Sequence, residues 1–554
     1  MKNAIGCCCA IGLLIAAAST PAAGPISVRS FGAAGDGKHL DTPAIRAAVE
    51  ACRKQGGGTI LFPAGVYRTG AFRIADNIML YLEPGAVILG SPDLSDYLLD
   101  GKRAGLISAV DAENVSIAGE GVIDGNGDSF MFMDSVHIGM DFDRKATRQG
   151  EAFMNAPASS FKQGPVKPRE RPGNLIAFSG CRDVSVRDVT LRNSPFWTLH
   201  LAGCNGADVV HITIQNNLLV PNNDGIHCTT SRNIRIQGCR IEAGDDAIAV
   251  TGVTDHAAII PGFIAHQGFS ENVIVSDCLL KSRSAGIRVG YGSNSIRNCI
   301  FHDCMILDSH RGIGIFVRNE GSVSDIRFSN LIIETRLVSG HWWGNGEPVH
   351  ISVLAMEKGR DTGSVSDVIF SDIKATGENG MILYGSRPGD IQNIEMKGIR
   401  LEIKNSAWSR SYGGNFDLRP SPDMETAIFR SDIAALFCRF VDGLVIDDME
   451  LTWPDSAASY FTEAIRCESV SNAAVSRFRG RQAHPGEGAV LSIAGGNRFS
   501  ISISTATEDA GTFLSHSGVK DVLFMRNDLR AARCIMDPAE PSFILEGNLM
   551  SNDF

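Results

Sequence analysis

Aromatic residues are scarce in this 554-residue chain, at 7%, whereas hydrophobic residues make up 44% and glycines number 59. That balance excludes a core built from a few large rings and suits many short Val/Ile strands broken by tight turns. Beyond the apolar run Ala4 to Ala18, no segment has the roughly 20 consecutive apolar residues of a membrane-spanning helix. No Pro-, Ser- or charge-rich stretch reads as a linker, so a single elongated domain is expected rather than a string of separate ones. Basic stretches are also missing. Lys and Arg total 51 against 62 Asp and Glu, a formal charge of −11, which argues against nucleic acid as a partner and against general electrostatic capture of a polyanion. No cysteine pair has metal-ligand spacing with histidines nearby, so neither a metal nor another cofactor is expected.

Lys2, the apolar run and the small residues Ser19 to Ala23 have the layout of a secretory signal peptide over 1–23, with the mature chain over 24–554. Its removal would take Cys7, Cys8 and Cys9 away, leaving 11 of the 14 cysteines, an odd number. Cys204, Cys228, Cys239, Cys278 and Cys299 fall in or beside short apolar segments, and mostly free, buried thiols are expected rather than a disulfide framework.

Five segments repeat one pattern: Trp197 to Leu201, Asp224 to Cys228, Asp246 to Val250, Ala285 to Val289 and Arg311 to Ile315. Their central apolar residues, Leu199, Ile226, Ile248, Ile287 and Ile313, are 27, 22, 39 and 26 residues apart. Loosely periodic copies of a short strand that cannot bury its face alone are the signature of a solenoid, here read as a parallel β-helix. Further copies run from Val115–Ile117 to Val522–Met525. At the start, Thr42 reads as an N-cap, Pro43 as the first helical residue, and Ile45, Val49 and Cys52 as the apolar stripe of a capping helix. Three insertions interrupt the repeats, at about 128–172, 254–268 and 405–437. Loops projecting from a solenoid commonly gather on one face and wall a binding site.

Asp224 and Asp246 occupy equivalent points of successive coils, so with strands about 4.8 Å apart they are near neighbours, with Asp245 beside them. Breaking a glycosidic bond needs one carboxylic acid to protonate the leaving oxygen and another carboxylate to activate water. Crowding three carboxylates raises at least one pKa, which keeps an acid protonated near neutrality. Asp245 and Asp246 both reach one groove only if the chain turns or bulges there, and Gly244 permits that. A ladder of Asn and Asp in solenoid turns gives the same spacing without any chemistry.

The segments Ala71 to Tyr97, Arg171 to Trp197, and Pro221-Asn-Asn-Asp-Gly-Ile-His227 through Gly244-Asp-Asp-Ala-Ile-Ala249 resemble glycoside hydrolase family 28, the polygalacturonases and rhamnogalacturonan hydrolases. The resemblance covers about residues 26 to 350. It implies an all-β, right-handed parallel β-helix and hydrolysis with inversion and without a metal, Asp245 acting as general acid while Asp224 and Asp246 activate water. Two motifs depart from the family's pattern. Ser284-Ala-Gly286 stands where Gly-His-Gly is usual, and Gly314-Ile-Phe316 replaces the Arg-Ile-Lys whose basic pair holds a galacturonate carboxylate.

His200, His227, Ala249, Arg288 and Gly314 each follow the stacked apolar residue and should form one outward column. Arg288, one coil from the missing arginine, is a candidate to bind a substrate carboxylate or hydroxyl, with Arg311 and Arg318 as further candidates; each also reads as a solvated surface arginine. Asn222, in the Asn222-Asn-Asp224 motif, is a further candidate to bind substrate. His200 and His227 either contact sugar hydroxyls or line the ladder. Trp342 and Trp343, in His341-Trp-Trp-Gly-Asn-Gly-Glu-Pro348, cannot share one direction, so at least one is expected on the substrate side as a platform for a sugar ring. The leading reading is an exported glycoside hydrolase acting on pectin-like or related polysaccharides or oligosaccharides, and the long insertions suggest a groove closed at one end and hence exo-action. A β-helix polysaccharide lyase, with the aspartates binding calcium, and a carbohydrate-binding β-helix without catalysis are the alternatives.

Overall fold

The computed structural model describes residues 24–137, 163–257, 259–422, 428–430, 432–539 and 543–550. The segment expected to be a signal peptide and the middle of the first insertion lie outside them. The chain forms a right-handed parallel β-helix whose coils stack into one sheet of 15 strands and one of 28. Leu199–Ala202, Ile226–Thr229, Ile248–Gly252, Ala285–Gly292 and Arg311–Val317 are consecutive members of the smaller sheet. The five repeated segments are therefore the same strand in five coils. Leu199 pairs with Ile226, Ile226 with Ile248, Ile248 with Ile287 and Ile287 with Ile313, and all five are fully buried. Burying each contributes about 1.5–3 kcal/mol. A one-residue slip would turn the whole column outward, which is why the register is strongly specified.

The turns supply the second repeated element. Asn114, Asp183, Asn233, Asn272, Asn298, Asp325, Asp367 and Asn393 all have φ between 51° and 58°, a left-handed conformation that short polar side chains tolerate better than most. Asn272 Nδ2 donates to Asn233 Oδ1 at 2.9 Å and Asn233 Nδ2 to Asn205 Oδ1 at 2.8 Å. An Asx ladder therefore exists, but on another edge of the coil; Asp224, Asp245 and Asp246 are not part of it.

The capping helix spans Thr42–Lys54 and buries Ala44, Ile45, Ala48, Val49 and Cys52. Its N-cap is Asp41, not Thr42. The Asp41 carboxylate accepts instead from the amides of Ala34 and Gly35, closing the glycine turn, while the Thr42 hydroxyl accepts from Gly70 N at 2.7 Å. All eleven described cysteines are free, and ten of them are buried. In the first insertion, Met131–Val136 pairs antiparallel with Val166–Pro168, and in the third Asn415–Asp417 pairs with Ile428–Arg430.

Candidate active site

Each coil leaves the larger sheet and enters the smaller one through a bend, and the aspartates stand at two such bends. Asp245 and Asp246 lie between strand Arg240–Ala243 and strand Ile248–Gly252. Gly244 is needed there. A Cβ on it would stand 2.2 Å from the Val220 carbonyl oxygen, and its amide donates to Asn223 Oδ1 at 2.6 Å. The bend breaks strand alternation, so both neighbouring carboxylates reach the same cavity. One coil earlier, Asp224 precedes Ile226, the register partner of Ile248. The three carboxylates line a cavity of about 470 Å³ together with Asn222, His227, Arg288, Tyr291, Arg311, Phe316, Trp343 and Arg419, among others.

The expected column is present: His200 pairs with His227, His227 with Ala249, Ala249 with Arg288 and Arg288 with Gly314. From that column the Arg288 side chain lies across the aspartates. Its Nε donates to Asp246 Oδ2, and its Nη2 stands 3.8 Å from Asp224 Oδ2. The guanidinium is thus paired with the protein's own carboxylates while it also lines the cavity, where it was expected to meet a substrate carboxylate or hydroxyl. Asp246 Oδ1 is also held, accepting from Ala285 N at 3.0 Å.

These contacts distribute protons unequally. Burial, then repulsion from Asp246, pushes the Asp245 carboxyl up to about 7. Burial and the charges of Asp245 and Asp246 also push Asp224 above its ordinary value, with Arg288 pulling the other way. Burial opposes the charge of Arg288, but Asp246 and Asp224 outweigh it and hold the guanidinium protonated. A buried cluster of three carboxylates and one guanidinium is costly to ionise fully. It carries a proton near neutrality, and Asp245, away from the Arg288 hydrogen bond, is a suitable holder.

Asn222 Nδ2 reaches Asp245 Oδ2 at 3.4 Å, and its own carbonyl accepts from Arg171 Nη2 at 3.0 Å. Arg171 is fixed by the Pro195 and Pro221 carbonyls and by the Phe196 ring 4.3 Å away. The first insertion thereby reaches the site. His227 Nδ1 lies 3.0 Å from Asp224 Oδ2, and the Trp197 indole stacks on its imidazole with centroids 3.5 Å apart. Burial holds His227 well below its usual pKa and His200 down to about 3, so both rings are neutral.

Three of the residues expected to touch substrate do not line this cavity. His200 is buried with its nitrogens on Asn174 and Thr229. Arg318, 1% exposed, donates to the Ser352 carbonyl and hydroxyl and the Leu418 carbonyl. Trp342 is buried and donates its indole N–H to the Gln163 carbonyl at 3.0 Å. Arg311 does reach the cavity, with its charge 3.6 Å from Glu347 and 3.9 Å from Asp417. Trp343 is half-buried at the cavity wall, with Arg419 over its ring at 4.9 Å. Arg419 is in turn gripped by Asp417 through two hydrogen bonds of 2.7 and 2.8 Å.

Sequence reading missed Arg171, His256, Tyr291 and Arg419. Tyr291 carried a signal, being three residues beyond Arg288 in the same strand; its ring centroid is 4.9 Å from that guanidinium. His256, Ile259 and Ile260 come from the second insertion and Arg419 and Pro420 from the third. Among the described residues no cluster of three or more His, Cys, Asp or Glu is placed to hold a metal ion.

The model of glycosyl hydrolases family 28 matches residues 87–412. A probable polygalacturonase of Vitis vinifera is 29% identical over 330 residues, covering 56% of this chain and 60% of its own length. An exo-poly-alpha-D-galacturonosidase of Dickeya chrysanthemi is 29% identical over 253 residues, covering 40% of this chain and 41% of its own length. The match thus spans less than two thirds of either relative. Among solved structures, a hyperthermoactive exopolygalacturonase from Thermotoga maritima superposes with a TM-score of 0.55 at 24% identity, covering 68% of this chain and 87% of that one. That likeness is one of fold.

Proposed function

The chain belongs to glycosyl hydrolases family 28, and from that premise we propose that it hydrolyses glycosidic bonds in pectin-like or related polysaccharides or their oligosaccharides, with inversion. The observation that carries the reading is the unequal environment of three carboxylates around one cavity. Asp245, with its carboxyl pushed up to about 7, gives its proton to the leaving glycosidic oxygen. Asp224 and Asp246, held by His227 and Arg288, orient a water and take its proton as it attacks the anomeric carbon from the opposite face. The spent acid and base exchange protons with solvent before the next turnover.

The sugar lies against rings rather than against a free cation. Phe316 stands in the stretch where the family's basic pair is usual, and Trp197, Tyr291 and Trp343 offer further faces. This lining supports a sugar recognised by its apolar face at that position. Exo-action fits the two insertions that line the cavity and the exo-acting name of the Dickeya chrysanthemi relative. The leader-like segment at 1–23 supports export. Arg288 speaks against a calcium-dependent lyase, because a guanidinium already neutralises the carboxylates that would hold the ion.

Product analysis on a panel of pectic and related oligosaccharides, with wild type and Asp245→Asn side by side, tests the reading. Release of a saturated sugar by wild type alone is expected. An unsaturated uronide would establish a lyase. Retained ligand binding with no turnover in either protein would establish a binding module.

A further inference from the structure

A line of five buried hydrogen bonds runs across the coils and ends on Asp224. Asn174 Nδ2 lies 2.9 Å from His200 Nδ1, and His200 Nε2 lies 3.0 Å from Thr229 Oγ1. Thr229 Oγ1 lies 3.1 Å from Thr251 Oγ1, which lies 3.1 Å from His227 Nε2. His227 Nδ1 then meets Asp224 Oδ2 at 3.0 Å. Every member is buried: Asn174 is 3% exposed, His200 2%, Thr229 1%, and Thr251 and His227 0%. No water is needed to complete the chain, and the Trp197 indole stacks on the His227 ring where it borders the cavity.

Each link has one proton to give, so the polarity of the whole line follows from its ends. An amide NH2 can only donate, so His200 accepts at Nδ1 and carries its proton on Nε2. That proton goes to Thr229, whose hydroxyl donates to Thr251, whose hydroxyl donates to His227 Nε2. His227 must then carry its proton on Nδ1 and donate to Asp224. With Asp224 ionised as the water-activating base, the opposite end agrees, since a carboxylate only accepts.

We propose that Asn174, His200, Thr229 and Thr251 form a tautomer lock that keeps the His227 Nδ1–H on Asp224, making them positioning residues for the water-activating carboxylate. The lock assigns roles within the cluster. Asp224 Oδ2 then has a standing donor, which favours its ionised form against the burial and neighbouring charges that raise it. It also accounts for two histidines on the catalytic column that are too buried to bind sugar. The role in catalysis rests on the glycosidase reading above, whereas the direction of the line does not.

The test uses Thr251→Val, which keeps the shape and removes the hydroxyl, and Thr251→Ser, which restores it. In protein labelled with 15N-histidine, the His227 ring signals are identified by their loss in His227→Gln. Wild type and Thr251→Ser should show Nδ1 protonated and Nε2 bare, and Thr251→Val should show a mixture of tautomers. On whichever oligosaccharide the panel identifies, kcat should fall about ten- to hundredfold in Thr251→Val with KM unchanged, and return in Thr251→Ser. A wild-type His227 protonated on Nε2 overturns the lock, as does a Thr251→Val enzyme with undiminished kcat. If wild type hydrolyses nothing, the glycosidase reading fails, and the ring tautomer still decides whether the line runs in the stated direction.

Discussion

Asp245→Asn should abolish turnover and stabilise the fold at alkaline pH. The carboxyl moves from its ordinary 3.8 to about 7 on folding, chiefly through burial and then through Asp246. A raised acid binds its proton more tightly in the folded state, so its favourable contribution is complete at low pH and is lost as pH rises from about 4 through about 7. The step corresponds to about 4 kcal/mol, the cost of ionising this group inside the folded protein. Asparagine has no such cost. It does lose acceptor capacity: Asp246 N donates to one carboxylate oxygen at 3.0 Å and Asn222 Nδ2 to the other at 3.4 Å, and an amide has a single oxygen, a penalty of about 1 kcal/mol that is nearly independent of pH. Denaturant unfolding of wild type and variant at pH 4 and pH 8 isolates the titrating part. The variant's advantage should grow by about 4 kcal/mol between the two pH values. A difference that stays flat, or that grows toward acid, would refute a buried, raised Asp245 and with it the assignment of the general acid.

Other changes separate the remaining parts of the site. Arg288→Ala leaves Asp224 and Asp246 without their cation, so about 3–5 kcal/mol of stability should be lost on denaturant unfolding, together with activity; Arg288→Lys should recover only part of either. Trp343→Ala removes a ring at the cavity wall and should raise KM about tenfold with kcat little changed in steady-state kinetics. Of the eleven described cysteines only Cys534 is partly exposed, so in a chain of residues 24–554 an aromatic disulfide reagent should label it first, the other ten reacting only after unfolding.

Much of this architecture was legible in the chain because a solenoid writes its packing into its period. Ile226, Ile248, Ile287 and Ile313 are one column in space because each buries the next, and the same spacing brought Asp224 and Asp246 together. Gly244 signalled the bend that turns both Asp245 and Asp246 inward. The partners of the charges were not legible. Register placed Arg288 on the right column but gives only a side chain's starting point, so its pairing with Asp246 could not be read from the sequence. Arg318 and His200 sat at the right spacing, but they are buried against polar groups of distant residues, the Leu418 carbonyl for Arg318 and the Asn174 amide for His200. Arg419 came from an insertion whose path no periodicity describes. Thr42 was mistaken for the helix cap because the better candidate, Asp41, spends its carboxylate on the preceding turn.

The division of labour among the three aspartates is tested most directly by the anomeric configuration of the first-formed product, followed by proton NMR during hydrolysis before mutarotation sets in. Water activated by Asp224 and Asp246 on the face opposite Asp245 should give the inverted anomer from the first observable turnover. A product that keeps the configuration of the bond cleaved would mean that one of these carboxylates attacks carbon itself, and would contradict the account.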